Sequence, residues 1–524
     1  MQLLVLESTN DEPVVKSSMK NLGGVTTVTR QGPPVADAKS ARTSTASDRP
    51  QLDHASTNTS LSSLSKLDSS TNLQGDARSM YPFRIKHLGK SEVYTLYAST
   101  AQNRQEWCEK IILAKERHAA ALFAQNAEPF RLKVLADSAF ASDPVLGFGR
   151  NTGISIKGTP LDRSVEEMER EYGRTRPAPV CRAQVNCATT FTVYGKLMIA
   201  IGTDYGVYTS EVNNPRAWTR SIQSSRVTQI AVLEDFSVCL VISDKSLIAY
   251  HLDAVVPVSN FQAPQHDSAR RAPQKLSGAR EVSFFSTARM KDRTLVFYKK
   301  REGISSTFKV LEPVFQKSSE KKSKLFSRSR IGGGGTTEFF REFDEFYIPA
   351  ECFTINLFHS YIAVSTAKGF ELLTLDKKNP MSIPDLKQPS IASIAARLAG
   401  QKPLGMFRLS DAEFLLCYEE CGVYVDKHGE VSRSVVLEFV GKAKSAAMYG
   451  AYLVLFDSDF VEVRNAENGR LRQVVAGNDV RCLDYGVQGA SSAPRRTLKV
   501  AMAHPDFANS QLVVEMVLND GQRE

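Results

Sequence analysis

From about Cys181 onward, the chain repeats one pattern: an apolar run, a tight polar turn and a second run in which apolar and polar residues alternate. The first instance is LMIAIGTDYGVYTSEV, turning at 203–206, and the second is FSVCLVISDKSLIAYHL, turning at 243–246. TLVFYKKREGISSTFKVL turns near 301–303, YIAVSTAKGFELLTL at 366–369 and EFLLCYEECGVYVD near 420–422. YLVLFDSDFVEVRN and TLKVAMAHPDFANSQLVVEMV complete the series, turning at 457–459 and 504–509. Each reads as a β-hairpin. Runs apolar at nearly every position, such as 197–201, predict inner strands covered on both faces. Gly206, Gly369 and Gly422 are expected to supply turn positions with positive φ.

Successive turns lie roughly 40 to 65 residues apart, against about 40–50 for one four-stranded propeller blade. The wider gaps coincide with polar insertions, QAPQHDSARRAPQKL before the third hairpin and QKSSEKKSKLFSRSRIGGGGTT before the fourth. The expected fold is therefore mainly β: a seven-bladed β-propeller over residues 181–524. A pair of β-sandwiches is the alternative, although it demands no regular hairpin count. The segment at 187–193 is expected to complete the last blade.

The first 180 residues follow other patterns. Residues 31–79 are dominated by Ser, Thr, Asp, Asn and Pro, and residues 1–80 contain no aromatic side chain. Such a segment cannot bury enough apolar surface to offset its ordering entropy. It is expected to be a disordered insertion, either a solvated linker or a target for phosphorylation. YPFRIKHL and VYTLYA then alternate like two strands around GKSE. A helix follows, with Ser99 and Gln102 placed as a capping box. Trp107, Ile111 and Ala114 share a face at i, i+4, i+7, which Leu122 extends. The stretch 126–180 reads as a connector, with TPLDRSVEEMEREY as a helix starting near Thr159 and GRTRPAPV as an extended linker. The opening QLLVLES reads as the inside of a strand, so the chain is expected to continue upstream.

Composition changes this picture little. Hydrophobic residues make up 42% of the chain, enough for a large core, and a net charge of +9 over 524 residues favours acidic partners without defining one. The charges are spread, with no interleaved aromatics, so no nucleic-acid partner is expected. Eight cysteines sit mostly in apolar runs with no CxxC pair, which predicts reduced, buried thiols. No apolar run reaches the ~18 residues of a transmembrane helix.

Catalytic constellations are missing from the pattern. The glycines at 332–335 lack the following Lys-Ser/Thr of a phosphate loop and read as a flexible linker. The eight histidines are scattered, and His504, beside Pro505, reads as a surface turn residue. Asp204, Asp244, Asp426, Asp457 and Asp459 fall in turns, where Asp bonds nearby backbone amides. No catalytic residue, metal ligand or cofactor is expected. One loop is conspicuous: residues 317–330 carry Lys321, Lys322, Lys324, Arg328 and Arg330 against one acid. It is either a solvated loop or an electrostatic tether to an anionic membrane surface or acidic partner.

Three segments in order, LLVLESTNDEPVVKSSMKNLGG, YPFRIKHLGKSEVYTLYASTAQNRQEWCEKI and AEPFRLKVLADSAF, resemble the region that follows the exchange domain in fungal Rho guanine nucleotide exchange factors. Those proteins run from a Dbl-homology exchange domain to a pleckstrin-homology (PH) domain and then a citron-homology (CNH) domain. PVCRAQVNCATTFTVYGKLMIAIGTDYGVYTSE is similar to the start of a CNH domain, and Gly202, Thr203, Gly206 and Tyr208 match its GT-x-x-G-x-Y signature. The resemblance implies that 1–125 is the C-terminal half of a PH domain with Trp107 on its closing helix. It implies no specific lipid binding there, because the basic loop of a PH domain lies between its first two strands. It further implies a non-catalytic scaffold region that lacks the exchange domain and binds a Rho-family GTPase or a membrane-associated regulator. The setting implied is cytoplasmic, peripheral at the plasma membrane or sites of polarised growth, in fungal cell-wall and polarity signalling. The alternative is a CNH regulatory domain of a Ste20-type kinase or a vesicle-tethering factor.

Overall fold

The computed structural model describes residues 2–15, 79–125, 127–142, 155–256, 272–278, 281–315, 339–486 and 496–519. The expected disordered insertion (31–79, apart from Ser79), the basic loop at 317–330 and the glycine run at 332–335 lie outside the described residues.

The N-terminal unit is a small sheet with one helix. Strands β1 (Leu4–Ser8) and β2 (Val14–Val15) both pair antiparallel with β3 (Ser79–His87), whose other edge pairs with β4 (Val93–Ala98). Helix α1 (Ala101–Ala124) follows. Its cap sits one residue later than the sequence suggests. Thr100 is extended, and its Oγ1 accepts from Asn103 N at 3.0 Å, while Asn103 Nδ2 donates to Ser99 Oγ. The buried face is also rotated from the expected one. Cys108 and Ala119 are buried, with Ile111 and Ile112 packed beside Leu6 and Phe83, whereas Trp107 is 58% exposed.

Among the described residues that follow, the strands form seven four-stranded antiparallel sheets. In chain order, sheets 1 to 6 span 185–222, 227–275, 282–348, 352–383, 403–438 and 445–476, each formed by four consecutive strands. Sheet 7 is different. Three of its strands lie within 481–518, and the fourth is β5 (Phe130–Ala141), which pairs with Ser510–Leu518 in the register Val134↔Val514 and Phe130↔Leu518. Residues 130–141 are therefore a sheet strand within the stretch read as a connector. The expected closing segment, 187–193, instead belongs to the first strand of sheet 1, Val185–Val193. The reason is local. Tyr194 and Gly195, both with positive φ, form a two-residue turn that pairs Val193 with Lys196, so this segment is committed to its own hairpin.

Each sheet buries apolar side chains against the next. Cys187, Phe191 and Val207 of sheet 1 meet Val232 and Val241 of sheet 2. Comparable clusters join sheets 2 and 3, 3 and 4, 4 and 5, 5 and 6, and 6 and 7. A further cluster joins sheet 7 back to sheet 1: Ala136, Phe140, Ala501 and Val513 pack on Val185, Ile199, Tyr208 and Trp218. Phe140 meets Trp218 edge-on at 5.1 Å between ring centroids.

Polar side chains add specific links at these seams. Gln229 of sheet 2 holds both backbone groups of Phe285 in sheet 3, and Asn356 of sheet 4 accepts from Met406 N of sheet 5 at 3.0 Å. Gln511 of sheet 7 is 2% exposed and fully engaged. Its Oε1 accepts from Val185 N and Arg481, and its Nε2 donates to Ala141 O and Ala183 O. Buried backbone groups need such partners where two sheet edges meet.

Candidate functional site

The polar side chains with unusual surroundings gather where the N-terminal unit, β5 and helix α2 (Pro160–Tyr172) meet sheets 6, 7 and 1. The helix begins as the sequence predicts, with Thr159 as its N-cap and Pro160 in its first turn. Its buried face, Leu161, Val165 and Met168, inserts into the cluster shared by sheets 6 and 7.

The N-terminal unit is held to this body at several points. Leu3, Val5 and Leu88 pack on Phe460, Val474 and Ala476 of sheet 6. Lys86 pairs with Asp459 at 2.6 Å, and Ser155 N donates to Leu6 O. Two glycines permit the close approach. A Cβ on Gly89 would lie 2.2 Å from Val440 O, and one on Gly158 (φ 73°) would lie 2.9 Å from Glu116. Between these contacts is a small cavity of about 20 Å³, lined by Lys115, His118 and Leu122 of α1, by Glu128, and by Gly158 and Thr159 at the start of α2. Lys115 is 6% exposed, and burial alone pushes its amine down to about 8. Glu128 is also buried, and its Oε1 has no partner. Burial pushes this carboxyl up, while Arg163 pulls it the other way.

A second cluster closes the seam between sheets 7 and 1. Asp137 of β5 is 1% exposed and accepts from Arg176 Nε at 2.9 Å and Arg216 Nη2 at 3.1 Å. Burial pushes its carboxyl up, but the two guanidinium bonds outweigh that and hold it below the usual range. Arg216 also donates to the carbonyls of Tyr172, Gly173 and Thr175, satisfying acceptors at the C-terminal end of α2. Arg176 stacks over Phe507 and bonds Glu169. His504 is buried here, in contrast to the surface position expected for it. Its Nδ1 accepts from Asp506 N, and its Nε2 has no partner. Burial and the nearby Arg176 push its pKa down to about 4, against a smaller opposing pull from Asp137.

Sequence reasoning missed both clusters: Asp137 and His504 lie several hundred residues apart and meet through the pairing of β5 with sheet 7, whereas the Lys115 group forms where α1 approaches the start of α2. The residues it did single out are dispersed. Lys321, Lys322, Lys324, Arg328 and Arg330 lie outside the described residues. Gly206 (φ 128°) and Gly369 (φ 117°) occupy hairpin turns as expected. Gly422 does not. It lies inside the strand Cys421–Asp426 without positive φ, because the turn falls one residue earlier, at Glu419 and Glu420. Gly202 serves close packing: a Cβ there would lie 2.5 Å from Cys187 Sγ and 2.6 Å from Val227.

The chemistry these groups offer is binding and bracing. Among the described residues, no cluster of three or more His, Cys, Asp or Glu side chains could hold a metal ion. The buried thiols of Cys187, Cys239 and Cys417 and the partly buried one of Cys482 are all pushed up by desolvation, away from the reactive thiolate form. Asp457 accepts from Lys442 N and Asp459 N, and Asp426 from His428 N and Glu430 N, the turn-bonding role expected of them.

Comparison with known proteins agrees with the arrangement of sheets. The chain is 29% identical over 83% of its length to Rho1 guanine nucleotide exchange factor 3 of Schizosaccharomyces pombe, of which it covers 35%. It is 25% identical over 78% of its length to Rho1 guanine nucleotide exchange factor 1 of the same organism, of which it covers 26%. The chain thus spans about a third or less of these relatives. A solved structure described as the AfRom2 CNH domain matches with a TM-score of 0.50 and 26% identity, over 64% of this chain and 96% of that one. The CNH-domain family model matches residues 195–486, more than half of the sequence, and the chain belongs to the CNH-domain family, with its relatives among the fungal Rho1 exchange factors.

Proposed function

We propose that this chain is a non-catalytic scaffold region of a Rho guanine nucleotide exchange factor, in which the seven sheets are the blades of one β-propeller that binds a Rho-family GTPase or a membrane-associated regulator. The observation that carries the reading is the packing of sheet 7 on sheet 1, where Phe140 and Val513 meet Val185 and Trp218. A ring of seven sheets, each burying its apolar face against the next, leaves its loops to form two broad faces suited to protein contacts. The N-terminal unit reads as the second half of a PH domain: a meander of strands followed by one closing helix. The relatives' names, Rho1 exchange factors, support the choice of a Rho-family GTPase pathway. A setting at the plasma membrane or sites of polarised growth follows from the same reading.

The test is a pull-down of the 524-residue chain against Rho-family GTPases loaded with GDP or with a GTP analogue, run beside a nucleotide-release assay. The reading expects retention of a GTPase without acceleration of GDP release. Acceleration of release by this chain alone would overturn the non-catalytic part. Failure to retain any GTPase in either state would shift the proposal to a membrane-associated regulator.

A further inference from the structure

Strand β4 is the free outer strand of the N-terminal unit. Among the described residues it pairs only with β3, so one edge of its backbone carries unpaired donors and acceptors. Such an edge is a template for another strand unless charge, proline, a bulge or shortness blocks it. The outer strands of sheets 1 to 6 are blocked in these ways. Gln274–Lys275, Met381–Ile383 and Leu437–Glu438 are very short. Thr219–Ile222 carries Arg220, Leu471–Ala476 carries Arg472, and Phe340–Ile348 carries Glu342 and Glu345. Strand β4 has none of these devices. Its sequence, VYTLYA, is uncharged, and its register with β3 runs unbroken from Tyr81↔Ala98 to Lys86↔Val93. Tyr94 is 50% and Leu96 45% exposed, and Val93 and Thr95 are exposed as well.

We propose that this edge pairs with β4 of a second copy of the chain, antiparallel and centred on Thr95, to make a symmetric dimer. The register is what selects a second copy as the occupant. A two-fold axis beside Thr95 sets that residue opposite its own counterpart, Tyr94 opposite Leu96, and Val93 opposite Tyr97, the last two pairs each occurring twice. Tyr94 and Leu96 share one face, because they stand opposite Ile85 and Phe83 of β3, and Val93 and Tyr97 share the other. Every cross-strand pair is thus Thr with Thr, or an aromatic with an aliphatic on a common face, pairings that stabilise antiparallel sheets. No like charges meet along the strand. The two small sheets become one continuous sheet, with both α1 helices on the same side. A pair of such short strands buries less area than a permanent interface, so the dimer is weak and forms as concentration rises. The inference stands independently of the scaffold reading.

The experiment is sedimentation velocity on the 524-residue chain across the micromolar range. The sedimenting mass is expected to rise from that of the monomer toward twice that mass. Thr95 is exposed in the single chain, so Thr95→Lys and Thr95→Glu should both fold. Each variant sets like charges directly opposite one another and should weaken the dimer about five- to tenfold. An equimolar mixture of the two should restore association, because the mixed pair brings opposite charges together. A monomer throughout the range, variants that associate like the unmutated chain, or a mixture that stays apart would each overturn the proposal. Hydrogen exchange separates a second copy from an occupant within the same chain. Protection of the outward β4 amides should rise with protein concentration. Protection independent of concentration would assign the edge to a segment of the same chain and overturn the dimer.

Discussion

Gln473, in the outer strand of sheet 6, grips Phe130 at the start of β5 by both of its backbone groups. Its Oε1 accepts from Phe130 N at 3.0 Å and its Nε2 donates to Phe130 O at 2.9 Å. Both residues are almost wholly buried, and the Phe130 ring rests against Tyr449 and Tyr452 of sheet 6. Truncating the side chain would orphan a buried donor and a buried acceptor together. Gln473→Ala is therefore expected to destabilise the chain by about 2–4 kcal/mol. Urea unfolding followed by the fluorescence of the buried Trp218 measures it. A loss below about 1 kcal/mol would show that β5 is held by its pairing with sheet 7 alone.

Asp137 supports the same strand from its other end. Its carboxylate is the shared acceptor for Arg176 and Arg216, both largely buried themselves. Asp137→Ala would leave the largely buried Arg216 without its acidic partner and Arg176 with Glu169 alone, at a cost of about 3–5 kcal/mol. Because the folded carboxyl is held below its usual range, the stability it contributes is present above the unfolded pKa of about 3.9 and is lost as pH falls below that value. Acid unfolding of Asp137→Ala should accordingly show a weaker dependence on pH below about 4 than the unmutated chain.

The hairpins were legible because their signal is local. An apolar run, a turn and an alternating run lie within some twenty residues, and turns such as 203–206 and 366–369 form where the residues place them. The closure of sheet 7 was not legible. The partner of Ser510–Leu518 lies nearly four hundred residues earlier, behind a helix and the first strand of sheet 1, and no turn chemistry links them. FRLKVLADSAFA alternates only in its first half and is buried along its second, so its pattern does not announce an outer strand. The Asp137 cluster, which His504 joins from sheet 7, depends on that long-range pairing and was hidden with it. The sheet-3 outer strand, Phe340–Ile348, shows a further device that pattern cannot reveal. Asp344 Oδ1 accepts from Glu345 N and Lys378 donates to Glu345 O, so side chains engage backbone groups along this edge.

Helix α1 makes the rotated face testable. The i, i+4 spacing from Trp107 is genuine, but the face that meets β3 starts one residue later, at Cys108. Trp107→Ala should change stability by less than about 0.5 kcal/mol, as surface substitutions usually do. Cys108→Asp should cost several-fold more, because it places an unpaired carboxylate beside Leu6 and Phe83. Limited proteolysis within 79–125 would report the difference directly.

Two glycines that look alike in sequence should behave differently. At Gly206 a Cβ would lie 2.1 Å from Ile222 O, with φ at 128°, so Gly206→Ala should disrupt the outer strand of sheet 1 and cost about 2–3 kcal/mol. At Gly422 the nearest atom to an added Cβ is Leu415 Cδ1 at 3.0 Å, the end of a flexible side chain, and φ is not left-handed. Gly422→Ala should cost less than about 1 kcal/mol. Equal losses in thermal unfolding would contradict the turn assignment.

His504 gives the seam between sheets 7 and 1 a dependence on mild acid. Its imidazole is neutral in the fold, with a pKa pushed down to about 4 by burial and by Arg176, against about 6.5 when unfolded. Between those values the unfolded chain binds a proton that the folded chain does not. Stability from this group is therefore complete above about pH 6.5, falls as pH drops toward 4 and levels off below it, for a total of about 3 kcal/mol. Arg176, Asp137 and Phe507 are the groups that face the ring. His504→Asn keeps an acceptor for Asp506 N at the position of Nδ1 and removes the titration. The variant should unfold with a flatter pH profile between 6.5 and 4, while Asp137 still imposes its own loss below that window. An unchanged slope between pH 6.5 and 4 would mean that His504 is protonated in the folded chain.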